Sequence, residues 1–168
     1  MIRWWTLAAT LVASSAVFAS YVFERSVWLV YNASESAPRG WYSIERTPSF
    51  ELGDYVISRL PSTSASLAAA RGYIPETVPV LKRIAAVGGQ SVCVLDRIVF
   101  IDGNAVAVAL ARDGTGRSLD AWNGCRQLQR NELFLLNSGS GSSFDSRYVG
   151  PVDESLVLGG ATPLIVWR

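Results

Sequence analysis

Ser36 lies in the segment Asn32-Ala33-Ser34-Glu35-Ser36-Ala37-Pro38-Arg39-Gly40, where Ser-x-Ser ahead of a proline and a glycine makes a loop with exposed hydroxyls. A serine becomes a useful nucleophile only when a neighbouring group takes its proton. The 168-residue chain has no histidine, which excludes a Ser-His-Asp triad, a Cys-His pair and most zinc sites. It has a single lysine, Lys82, beside fourteen arginines, so any proton transfer by a tunable side-chain amine falls to that residue. Lys82 sits in Val80-Leu81-Lys82-Arg83-Ile84-Ala85-Ala86-Val87. In a strand it shares a face with Val80 and Ile84, while Arg83 points the other way. Desolvation among apolar neighbours disfavours the ammonium form. A drop from ~10.4 towards ~7–8 costs about 4 kcal/mol and makes lysine a general base near neutral pH. The same residues also fit plainer roles, a polar linker around Ser36 and a snorkelling lysine with a wet head. A third group, Ser142-Ser143-Phe144-Asp145-Ser146-Arg147-Tyr148-Val149-Gly150-Pro151, puts Asp145 and Arg147 two apart. An extended backbone would set them on one side, able to pair or to brace a neighbouring loop.

The elements that must position these groups read as mostly β. Short Val/Ile/Leu-rich runs occur at Tyr55–Ile57, Val78–Val87, Ser91–Leu95, Ile98–Ile101, Glu132–Leu136 and Leu156–Leu158. Asp102-Gly103-Asn104 between two apolar runs is a hairpin signal. An Ala-rich piece before Arg71-Gly72 predicts a helical turn or two, and Asn137 to Ser143 predicts a loop. Long runs with helical period are missing after residue 31, which leaves a small twisted-sheet or barrel-like arrangement.

Ahead of this domain, Trp4 to Phe23 carries no charge over about the twenty residues that span hydrocarbon as a helix. Trp4 and Trp5 mark one end; Tyr21, Phe23, Trp28 and Tyr31 mark the other, as expected at two membrane interfaces. The division expected is an anchor and short linker over 1–31 and an exported domain over 32–168. A cleaved secretory signal ending near Val17-Phe18-Ala19 is the competing reading, and it too exports the remainder. The net charge of +1 argues against nucleic acid as a partner. Cys93 and Cys125 are too far apart for a CxxC motif and read as one disulfide in an oxidising compartment, or as two buried thiols.

Taken in order, these pieces resemble the signal peptidase I superfamily of serine–lysine peptidases. They look closest to its conjugal-transfer branch, the TraF-type peptidases that process pilin subunits for type IV secretion. The resemblance runs from about residue 32 to the end. It rests on the serine loop, Gly53-Asp54-Tyr55-Val56, Arg71-Gly72-Tyr73, Leu81-Lys82-Arg83, Trp122-Asn123-Gly124-Cys125-Arg126 and the Phe144 to Pro151 segment. It implies a signal-peptidase-like twisted β-sheet or barrel catalytic domain behind one transmembrane helix. Ser36 corresponds to the nucleophile and Lys82 to its general base. The Ser34 hydroxyl and the Ser36 N–H correspond to the oxyanion hole. Ser143 corresponds to the residue that orients the lysine, with Asp145 and Arg147 as structural support. No cofactor or metal is implied.

The implied setting is the bacterial inner membrane, single-pass, with the catalytic domain in the periplasm and a precursor or pilin-like protein as substrate. Oligomeric state is not implied. Ala37, Glu35 and Gly88-Gly89-Gln90 depart from the residues more usual in signal peptidases at those places, without removing a catalytic group. A general signal peptidase and a catalytically inactive assembly module of a secretion system are the rival readings.

Overall fold

The computed structural model describes residues 2–22, 29–46 and 49–167, with the side chains of the first helix described over 4–15. That helix, α1, covers Ile2–Val22. Two of its hydroxyls are turned back on its own backbone: Thr10 Oγ1 donates to the carbonyls of Thr6 and Leu7, and Ser15 Oγ to those of Leu11 and Val12. Among the described residues no helix is long and apolar enough to cross a membrane. The expected interface residues Tyr21 (its side chain), Phe23 and Trp28, and the side chains of Val17-Phe18-Ala19, lie outside what is described.

The remainder is built on two open antiparallel sheets rather than one closed barrel. The larger takes β1 (Leu29–Asn32), β2 (Arg39–Glu45), β3 (Tyr55–Ser58), β4 (Val80–Ala86), β9 (Glu132–Leu136), β10 (Val152–Asp153) and β11 (Val157–Trp167). Their order is β1-β2-β11-β3-β4-β9-β10. The smaller takes β5 (Ser91–Leu95), β6 (Ile98–Ile101), β7 (Asn104–Val108) and β8 (Gly124–Gln127), in the order β7-β6-β5-β8. Helix α2 (Ser62–Ala70) fills the Ala-rich stretch, and a single turn, α3 (Ser146–Val149), follows Asp145. The Asp102-Gly103 hairpin forms as expected between β6 and β7, both turn residues having positive φ (48° and 80°), as a tight hairpin turn requires.

Strand β4 explains how one short run serves two faces. Leu81 pairs with Ile57 on the side packed with Tyr42 and Ala161, whereas Ile84 and Val56 pack with Leu133 and Leu135 on the other. Lys82 lies opposite Val56, and so shares the Ile84 face as its alternation requires. Arg83 emerges on the far side, over the ring of Tyr55. A third cluster joins the sheets: Val92, Val94, Val99 and Ile101 of the small sheet pack on Phe134, Leu136 and Trp122.

Two long pieces of sheet were not anticipated. Strand β2 begins directly after the serine loop, and at its second residue Gly40 (φ +141°) any side chain would collide with the backbone of Ile165. Strand β11 runs eleven residues through Gly159-Gly160 and a bulge between Pro163 and Ile165, features that interrupt a strand pattern in sequence.

Candidate active site

The serine loop is the turn between β1 and β2, and a buried asparagine shapes it. Asn32 Nδ2 donates to the carbonyls of Ser34, Ala37 and Pro38 at 3.0–3.1 Å. Its Oδ1 accepts from Ser34 N (3.1 Å) and Ser34 Oγ (2.9 Å), an Asx-turn that fixes the chain two residues on. The amide of the Asn32-Ala33-Ser34 sequon is therefore consumed inside the loop. Tyr42 Oη donates to the Pro38 carbonyl and closes the other end. The Ser34 and Ser36 hydroxyls come to 2.9 Å of each other. With the Ser34 proton given to Asn32, the Ser36 proton is the one shared between them. Glu35 points outward to an exposed ion pair with Arg39, worth little to stability.

Lys82 is 5% exposed, and its Nζ donates to Ser143 Oγ at 2.8 Å. Burial pushes its amine down to about 8; Asp145 opposes the drop and Arg147 adds to it. Ser143 is in turn fixed from behind. Arg147 Nη2 donates to the carbonyls of Ser140 (2.8 Å) and Ser143 (3.2 Å), and Nη1 to those of Gly141 and Val108. Asp145 takes both Arg147 Nε and Nη2 at 2.8 Å. The pairing does not come from an extended backbone: Asp145 caps the turn α3, accepting from Arg147 N, and this folds the guanidinium back onto the carboxylate. The pair is almost fully buried, so the guanidinium serves as a hub for loop carbonyls rather than as a surface tie.

Ser34, Ser36, Lys82 and Ser143 all line one open cavity of about 880 Å³, largely apolar in its walls. Among the described residues the side chains of Ser36 and Lys82 are not hydrogen-bonded to each other; Ser36 meets Ser34 and, at 3.5 Å, Asn137, while Lys82 meets Ser143. Val78 to Leu81 line it together with Arg71, Tyr73, Asp113 and Arg117. Asp113 fastens that lining by accepting from Tyr73 Oη and from Arg117 Nε. An aromatic row from Tyr73 through Phe144 to Tyr148 also lines the cavity. A hydroxyl-bearing turn and a dehydrated amine lining one open cavity can together support acyl transfer.

Residues 1–167 match the family model described as signal peptidase, peptidase S26. The chain belongs to that family. It is 33% identical to the conjugal transfer protein TraF of Agrobacterium tumefaciens (strain 15955), over 96% of this chain and 97% of that one. It is 30% identical to the plasmid transfer protein TraF of Escherichia coli, over 81% of this chain and 82% of that one. A crystal structure of a signal peptidase I from Enterococcus faecalis V583 is similar at a TM-score of 0.40 and 19% identity, over 70% of this chain and 98% of that one.

Two contributors to this cleft escaped the sequence. Asn32 was visible only as part of a glycosylation pattern, although an asparagine two residues before a serine is also an Asx-turn signal. Asn137 was visible only as the start of a Gly/Ser loop. In the fold its amide reaches Leu81 O, Arg83 N and Ser36 Oγ. Outside the site, Cys93 and Cys125 lie opposite each other on β5 and β8 and are bonded.

Proposed function

We infer that this chain is a membrane-anchored serine endopeptidase in which Ser36 and Lys82 form the catalytic pair. Its substrates are secreted or membrane-inserted precursors, pilin-like subunits of a conjugation or type IV secretion system. The observation that carries this reading is the state of Lys82. It is a buried amine held at about 8, fixed by Ser143, in the same cleft as the Ser36 hydroxyl. The names of the relatives, conjugal and plasmid transfer proteins, support the setting.

In the reaction Ser36 Oγ bonds to the scissile carbonyl carbon as its proton passes to neutral Lys82. The Ser34 hydroxyl leaves Asn32 and, with the Ser36 N–H, donates to the oxyanion; losing one such donor typically costs about 3–4 kcal/mol. The Lys82 ammonium then protonates the leaving amine, and water, deprotonated by the regenerated amine, opens the acyl-enzyme. A substrate's own amino terminus in place of that water makes a new peptide bond and a cyclic product from the same intermediate. The chemistry draws on no cofactor.

The setting is the bacterial inner membrane, with α1 in 1–31 as a single-pass anchor and 32–168 as a periplasmic peptidase domain. The hydroxyls of Thr10 and Ser15 bonded within the helix are compatible with hydrocarbon. An exposed patch formed by Tyr31, Trp41 and Trp167, continuing into Leu164, Ile165 and Val166, suits contact with the interface beside the anchor. The Cys93–Cys125 bond agrees with an oxidising compartment. The test is to present a membrane-inserted pilin-like precursor to the full chain and to its Ser36→Ala and Lys82→Ala variants, following product mass. Loss of cleavage in both folded variants supports the pair, and retained cleavage in either refutes it. A cleaved product lighter by one water than the linear fragment identifies cyclisation.

A further inference from the structure

Asn137 is the first residue after β9, and it continues the sheet with its side chain. Strand pairing between β4 and β9 ends with Arg83 opposite Leu136. Beyond that point Asn137 Oδ1 accepts from Arg83 N (3.2 Å) and Nδ2 donates to Leu81 O (3.0 Å). These are the peptide groups on either side of Lys82. The side-chain amide thus takes the place of a backbone peptide in the ladder and clamps the strand around the amine-bearing residue. The same two partners decide which way the amide faces: an N–H must meet oxygen and a carbonyl must meet N–H. The second hydrogen on Nδ2 is left facing Ser36 Oγ at 3.5 Å, a long separation of the kind that tightens when substrate arrives. Asn137 is itself 5% exposed, and its backbone N–H is held by Asp145 Oδ2 at 3.1 Å, so it has little freedom to turn away.

We propose that Asn137 is a further positioning residue of the site, one amide that holds the Lys82 strand in place and the Ser36 oxygen in register with it. This rests on the serine–lysine reading and extends it. At rest the Ser36 proton is shared with Ser34, so the hydroxyl must swing towards Lys82 before it can transfer that proton. A donor on the oxygen keeps Oγ in place through the swing and stabilises the negative charge that gathers there.

The experiment follows acylation of the full-length protein by a penem-type serine-directed inhibitor across pH, for the unaltered chain, Asn137→Asp, Asn137→Ala and Lys82→Ala. Near-ultraviolet circular dichroism checks folding. Aspartate keeps the acceptor for Arg83 N, loses the donor to Ser36, and adds a negative charge to the Asp145 and Arg147 charges already facing Lys82. The expected result is a limiting rate at least about tenfold lower, with the pH midpoint moved up by roughly one unit or more. Alanine should lower the rate similarly and leave the midpoint near that of the parent, and it carries the test where aspartate prevents folding. Folded variants with the parental rate and midpoint would overturn the role of Asn137 alone. A parent chain that is not acylated, or is acylated equally after Lys82→Ala, would overturn the serine–lysine reading and this inference with it.

Discussion

Lys82 Nζ and Ser143 Oγ meet at 2.8 Å across a sequence separation of 61, a strand interior joined to the end of a loop. The bond gives a dehydrated ammonium or amine one fixed partner and so points it into the cleft. Ser143→Ala should leave the fold in place and let the amine turn. Charge-assisted hydrogen bonds are worth about 1.5–3 kcal/mol, so acylation of Ser36 should slow by roughly 10- to 100-fold. Stopped-time labelling of folded protein reads this directly.

The lowered pKa of Lys82 also affects stability. Below pH 8 the amine is protonated in folded and unfolded chains alike, and burying the ammonium costs the folded state. Between about 8 and 10.5 the unfolded chain holds more protons, so stability rises with pH through that window. Lys82→Met should therefore be more stable than the parent at pH 7, by on the order of 3 kcal/mol. The advantage should shrink towards pH 10. Urea unfolding of both proteins at the two pH values measures it.

Asp145 and Arg147 form a buried pair, and removing one partner leaves the other charge uncompensated. Asp145→Ala or Arg147→Ala should cost about 3–5 kcal/mol in stability. Replacing both, Asp145→Leu with Arg147→Met, should recover much of that loss. Acylation should stay low in the double variant, because the Ser140, Gly141 and Ser143 carbonyls lose the guanidinium that fixes their loop. Parallel unfolding and labelling curves separate the two effects.

The Cys93–Cys125 bond closes a 32-residue separation at the edge of the small sheet, whereas Lys82 and the Ser36 loop belong to the large one. In the chain-entropy account it contributes roughly 3–4 kcal/mol. Cys93→Ser with Cys125→Ser should lower the unfolding midpoint and leave the acylation pH midpoint unchanged. Intact mass before and after reduction with alkylation checks the bond itself.

What could be seen in the sequence follows from how local the determinants are. Lys82 was legible because it is the only lysine and because strand alternation alone sets its face against Val56 and Ile84. The Asp102-Gly103 turn was legible because positive φ demands particular residues. The extent of β11 was hidden because Gly159 and Gly160 break the strand pattern. Gly159 is there for a tertiary reason: a side chain would meet the Glu45 carbonyl on β2. Asn137 was hidden for a similar reason. Its partners on β4 are more than fifty residues away, and nothing in a Gly/Ser-rich stretch marks its amide as part of a sheet.

The most direct test of the proposed catalytic pair is the pH dependence of Ser36 acylation in the full-length protein, with Lys82→Ala beside it. A rate that rises with pH through a midpoint near 8, and vanishes in the folded variant, is the predicted result. Acylation with no midpoint below 10, or undiminished without Lys82, would contradict the assignment of Lys82 as the base for Ser36.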